Sequence, residues 1–174
     1  MLKLLPLLLL ILTPPLHAQH PDNALSEGEV EKLRESAPEP AARVLLFSAF
    51  LDQRAKEILT LTTGRRHAGR EEDIHDQLEQ FSSIANDLED NLEDYAPRHK
   101  DLRKSIPKLL AATDRWQTAV KTPPDHDAYN VSRRLALEAI TDLREDLTKL
   151  LEDQKAYFQL HPPNKENKQD SKPE

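Results

Sequence analysis

Apolar residues between positions 74 and 120 fall into two interleaved series with a spacing of seven. Ile74, Phe81, Leu88, Tyr95, Leu102, Leu109 and Trp116 form the first series; Leu78, Ala85, Leu92, His99, Ile106, Thr113 and Val120 form the second. Two apolar positions per heptad put a continuous seam along one helical face, which neighbouring helices bury side by side. His99 is the one clear misfit and Thr113 a mild one. A second stripe, Val44, Phe47, Leu51, Ile58 and Leu61, widened by Leu45, Leu46 and Phe50, predicts a helix over 40–63. Pro40 suits its first turn, where no amide partner is needed, and Gly64 suits its stop. A third stripe, Tyr129, Ala136, Ile140, Leu143, Leu147, Leu150 and Tyr157, with Leu135, Leu151 and Phe158 alongside, predicts a helix over 127–160. The Thr122-Pro123-Pro124-Asp125 break precedes it, with Asp125 or Asp127 as its cap. Ser26 and Glu29 have the spacing of a capping box, which starts a short helix over 27–37 with Val30 and Leu33 on its apolar edge.

Pro97 and Pro107 interrupt the long seam, since proline inside a helix removes a hydrogen bond and kinks the chain. Two readings follow. Residues 70–121 form one long helix bent near Pro97, or two helices that reverse at Tyr95-Ala96-Pro97. The unbroken register, the lack of Gly, Asn or Ser at the supposed turn and the i, i+4 pair Asp94–Arg98 favour the bend. Two helices of similar length would instead complete a regular four-helix bundle. The expected fold is all-α: an elongated antiparallel bundle of three to four long helices over 26–160, kinked near Pro38/Pro40 and Pro97.

The two ends differ from this middle. Lys3, the apolar run Leu4 to Leu12 and the stretch Thr13 to Ala18 follow the order of a secretory signal. A run this short falls below the ~20 residues that span a bilayer. Cleavage is expected after Ala18, which places the mature chain outside the cytoplasm, periplasmic or secreted. Residues 19–25 read as an N-terminal linker. Residues 161–174, opened by His161-Pro162-Pro163 and polar, Lys-rich and Pro-containing beyond them, read as a disordered tail.

Charge narrows the partners. The formal net charge is -7, and mean hydropathy is -0.70. An acidic surface of this kind argues against nucleic acid as the main partner. The chain has no Cys and only three Gly. The first removes disulfides and thiolate metal sites, and the second leaves little material for phosphate-cradling loops. No serine-hydrolase elbow, zinc-protease or dinucleotide fingerprint is present. Glu72, His75 and Glu79 on one helix are the low-ranking candidates for metal ligands, because Glu-x-x-His occurs once where a di-iron bundle needs it twice. His99, beside the Pro97 bend, reads as a semi-buried hydrogen-bonding group or a pH-responsive hinge. The acidic run Asp87, Glu89, Asp90, Glu93, Asp94 and the basic run Arg98, Lys100, Arg103, Lys104, Lys108 read as solvated faces, or as two patches for a charged partner. No catalytic residue and no cofactor is expected.

Arg43, the segment Phe50-Leu51-Asp52-Gln53-Arg54-Ala55, the segment Asp87-Leu88-Glu89-Asp90-Asn91-Leu92, Asp101-Leu102-Arg103-Lys104 and Trp116 resemble a group of uncharacterised exported helical-bundle proteins of acidobacteria. The resemblance covers most of the expected mature chain, rests on charged helical motifs, and implies no activity and no functional residues. The residues themselves point to a non-enzymatic protein-interaction or scaffold module at the cell envelope, partnered by another protein or by itself as a homodimer. A small-ligand or metal-binding bundle is the alternative.

Overall fold

The computed structural model describes residues 24–162. The expected signal segment, its cleavage after Ala18, most of the linker and the tail beyond 162 lie outside them. Among the described residues there are five helices and no strand: α1 (Glu27–Glu35), α2 (Pro40–Thr63), α3 (Arg70–Tyr95), α4 (Ile106–Lys121) and α5 (Asn130–Leu160). Helices α2 to α5 form a packed bundle in which α2 touches α3 and α4, and α5 touches the same two; α1 lies on α2.

Side-chain pairs give the directions. Arg43 bonds Asn91 and Arg54 bonds Gln80, so α2 and α3 run antiparallel. Ser105, one residue before α4, reaches the Ala41 carbonyl, and Trp116 reaches Asp52, so α4 runs parallel to α2. Arg144 pairs with Asp114, while Gln154 bonds the backbone of Leu102 and Lys100, so α5 runs antiparallel to α4. The chain therefore goes up, down, up, down, with α3 and α4 on a diagonal. Phe81 and Trp116 meet edge-to-face across that diagonal, with ring centroids 5.9 Å apart. Trp116 is fully buried, and its indole N–H donates to Asp52 at 2.7 Å, which satisfies the one polar atom this ring carries into the core.

The expected bend at Pro97 is replaced by a reversal. α3 ends at Tyr95 and α4 begins at Ile106, separated by a ten-residue crossover, 96–105. Pro97 stands just past the α3 end, where it cannot continue the ladder. Pro107 stands in the first turn of α4, where it interrupts nothing. The left-handed residue that such a turn needs is His99, at φ 50°, a conformation His tolerates better than most residues do. The heptad register survives because the crossover folds inward. Leu102 is fully buried at the end of the core, and every member of both series is buried except His99. His99 is exposed and stacked on Tyr157 at 3.6 Å, so it is not the semi-buried group expected from its register. At Pro38 the chain does not kink within one helix; it separates α1 from α2, and Pro40 opens α2. α5 starts at Asn130 with neither Asp125 nor Asp127 capping it; Asp125 is held instead by Arg133.

The capping box at α1 is present, and it has a second role. Glu29 accepts from Ser26, and its two carboxylate oxygens each take a 2.7 Å bond from the Arg54 guanidinium. Arg54 also donates to the Ala24 carbonyl and to Gln80. Both side chains are more than nine-tenths buried. Satisfying this pair turns Glu29 inward and leaves Val30, expected on the apolar edge, 41% exposed. Leu33 is the other inward residue of α1. The Arg54 hydrogen bonds hold the Glu29 carboxyl at about 2, against the pull of its own burial.

Candidate functional site

Helices α3 and α5 pack side by side and in parallel: His75 meets Ser132 and Glu89 meets Asp146, the same sequence offset at both points. Parallel packing without a register slip places residues that flank the apolar seam of one helix opposite the equivalent flank of the other. On α3 those flanking positions are His75, Glu79, Glu89 and Glu93; on α5 they are Ser132, Asp142, Asp146, Lys149 and Asp153. The seam thus has two polar stations with different chemistry.

The upper station joins His75, Glu79 and Ser132. His75 Nδ1 lies 3.1 Å from Ser132 Oγ, and its Nε2 lies 3.2 Å from Glu79 Oε1. The Ser132 hydroxyl donates to the Tyr129 carbonyl at 3.1 Å. The order serine, imidazole, carboxylate is that of a nucleophile relay. Here the hydroxyl proton is committed to a backbone carbonyl, and Ser132 is only 3% exposed. The chain of bonds ties α3 to the first turn of α5; it does not present an attacking oxygen. Of the three residues singled out as metal candidates, the fold brings His75 and Glu79 together and leaves Glu72 exposed about a turn away. Among the described residues, no group of three or more His, Asp or Glu side chains converges as a metal site.

The lower station is a cavity of about 200 Å³ between the C-terminal half of α3 and the middle of α5. Its floor is Leu92, Ala96 and Leu150, and its walls carry Glu89, Glu93, Asp146 and Asp153 with Lys149 as the one cation. Burial pushes the Glu89 carboxyl up to about 7, helped by its hydrogen bond to Asp146 and by the charges of Asp146, Asp142 and Glu93. Like charges this close make ionisation of Glu89 costly.

Glu89 sits inside the acidic run that the sequence presents as a solvated face, and Asp142 and Asp146 had no separate signal. The clue was positional: Glu89 follows core Leu88, and Asp142 and Asp146 precede core Leu143 and Leu147. Flanking positions of like charge become neighbours only once α3 and α5 are known to lie parallel. The basic run sits elsewhere, at the crossover. Arg103 pairs with Asp101 and lies over the Phe158 ring at 4.1 Å, and Arg98 pairs with Asp94.

Comparison with known proteins returns no match: no family model fits the chain, and no curated protein or solved structure matches it. No described helix is long and apolar enough to cross a membrane.

Proposed function

We propose that this chain is a non-enzymatic protein-interaction module working outside the cytoplasm at the cell envelope, and that its contact surface is the α3–α5 face. The observation that carries this reading is the uncompensated negative charge at that seam. Glu89, Glu93, Asp146 and Asp153 line one cavity with Lys149 as the one cation in its lining, and the charge of Asp142 also bears on Glu89. A partner carrying lysine or arginine side chains would supply the missing charge, and the apolar floor of Leu92, Ala96 and Leu150 would receive the aliphatic stems of those side chains. The export pattern of the first eighteen residues supports the compartment, and the packed helical scaffold suits a rigid docking surface.

The test is calorimetric titration with an acetylated, amidated Lys-Leu amphipathic helix peptide at low and physiological salt. Binding that weakens several-fold with salt, and that is lost in the Asp142→Asn/Asp146→Asn double variant, is the expected result. No binding at low salt, or binding indifferent to that double substitution, would remove this face as the contact surface.

A further inference from the structure

We propose that the end of the bundle formed by the α3–α4 crossover and the last turn of α5 docks on an anionic lipid surface. Three unpaired lysines meet the headgroup phosphates there, and Leu160 enters the edge of the acyl region. The carboxyls of the α3–α5 cavity take no part, so this surface stands whether or not that face has a partner.

The stretch 94–108 carries five cations against two carboxylates. Asp94 is taken by Arg98 and Asp101 by Arg103. The two guanidinium forks, the groups best shaped for a carboxylate, are therefore already spent. Lys100, Lys104 and Lys108 are exposed and, among the described residues, have no carboxylate within ion-pair distance. Ammonium groups act as point charges, which suits a layer of phosphates better than a single carboxylate. At the same end Leu160 is 79% exposed, more than any other large apolar side chain described. Ala156 is exposed and Tyr157 and Phe158 are half-buried in the same turn. Cations beside an exposed leucine and a tyrosine are what the boundary between water and lipid accepts.

The surface is held ready. Gln154 of α5 accepts from the Leu102 amide at 2.9 Å and donates to the Lys100 carbonyl at 2.7 Å. Leu102 is fully buried, and Ser105 donates to the Ala41 carbonyl at 3.1 Å. Ring centroids of His99 and His161 lie 3.6 Å and 4.4 Å from that of Tyr157, at interplanar angles of 7° and 19°. Two rings so close and so nearly parallel cannot share one face of Tyr157, so the imidazoles sandwich it and pin the crossover to the end of α5. Little ordering is left to be done on docking, which keeps its entropic cost low. The chain as a whole carries -7, but α2, at 24 residues, is about 36 Å long. Carboxylates in the far half of the bundle thus lie several Debye lengths from a surface touched by this end and are screened. Glu93 and Asp153 open onto the α3–α5 flank, diagonally away from the first turn of α4 with its Lys108. Docking by one end would orient the bundle and leave the α3–α5 face open.

The chain has no Cys, so one introduced thiol carries a polarity-sensitive fluorophore to a chosen place. Gln159→Cys marks this end and Ala68→Cys the opposite one; both positions are exposed. The full chain is titrated with vesicles of phosphatidylcholine alone and of an equal mixture with phosphatidylglycerol. The expected result is a blue shift of the label at 159 with the mixed vesicles only, weakened by salt, while the label at 68 does not move. A hold by the apolar run 4–12 would be indifferent to lipid charge, so it cannot produce that pattern. Lys100→Gln/Lys104→Gln/Lys108→Gln should need on the order of a hundredfold more of the mixed lipid, at about fivefold per lysine. Leu160→Ser should weaken docking about tenfold and leave its salt dependence unchanged. No shift with the mixed vesicles, equal shifts at both labels or with both lipids, or a triple variant that docks like the parent would each overturn the proposal. An end that binds soluble poly-glutamate and ignores the vesicles would be a protein-docking surface, which overturns the lipid assignment as well.

Discussion

Two glutamates in this molecule lie at helix seams, Glu29 buried and Glu89 half-buried, and they end on opposite sides of the normal carboxylate range. Glu29, on α1, meets the fork of Arg54 and is held at about 2. Glu89, on α3, meets Asp146 and is pushed up to about 7. Burial raises both, so burial alone does not explain the difference. What differs is the partner that the neighbouring helix supplies. An arginine with two parallel bonds outweighs desolvation; a second carboxylate adds to it. The first seam is at full strength above about 4.5. The second gathers like charge, which burial makes costly to ionise. The molecule thus places its fixed charge pair under the short helix that has little other hold on the bundle, and its variable pair between two long helices that are also held by apolar packing.

The largest effect should come from breaking the fixed pair. Arg54→Ala leaves Glu29 and the Gln80 carbonyl without their donor, and removing one partner of a buried pair costs about 3–5 kcal/mol. Urea unfolding at pH 7 should show a loss of that order, and α1 amides should lose protection before the rest. Glu29 has a depressed folded value, so its contribution is complete above about 4.5, its unfolded value, and fades as pH falls towards about 2. The gap between the parent and Arg54→Ala should therefore narrow over that acidic window and stay constant above it. A gap that closes near neutrality instead would mean that another group carries the anchor.

Converting the variable pair should have the next largest effect, with the opposite sign. Asp146→Lys gives Glu89 the kind of partner that Glu29 already has. The raised folded value of Glu89 means that the parent chain is destabilised progressively from about 4.5 upward, with the full cost reached above about 7. Asp146→Lys should remove that cost, a gain on the order of 2 kcal/mol at pH 8 and little change at pH 4, read from thermal melts at the two values. Equal melting shifts at both pH values would show that the substitution acts through packing and not through charge.

The contrast between the two seams also shows which parts of the fold the sequence carries. Apolar spacing located the helical stretches, because burying a stripe is a requirement that residue order alone expresses; α2 came out at Pro40–Thr63 without adjustment, whereas the favoured single helix over 70–121 divided into α3 and α4. It did not settle the path between helices. The heptads run through Leu102 whether residues 96–105 continue a helix or fold back, since a crossover that tucks Leu102 into the core satisfies the same pattern. Proline positions carried the missing information, because Pro107 belongs to a first turn and Pro97 to an end. The turn residue was a histidine, not a glycine, which hid the reversal. Glu29 was legible as half of a capping box, yet nothing local announced that Arg54, 25 positions later, would take its other face. Glu89 was legible only as one charge in a run. Its partner is set by helix direction, and direction is decided at the crossover.

The smallest effect separates the two stations of the α3–α5 seam from each other. Ser132→Ala removes the hydroxyl that joins His75 to the Tyr129 carbonyl and leaves the lower station untouched. Tyr129 keeps the backbone bond from Arg133, so its carbonyl is not orphaned. The His75 ring is partly exposed and can turn to water. The loss should then be about 1 kcal/mol, the net worth of an ordinary hydrogen bond. It should also leave the pH-dependent gain of Asp146→Lys unchanged, because Glu89 and Asp146 lie fourteen residues further along their helices. A Ser132→Ala background in which that gain disappears would mean that the two stations act as one unit, and the charge effect would then belong to the whole seam and not to Glu89 and Asp146.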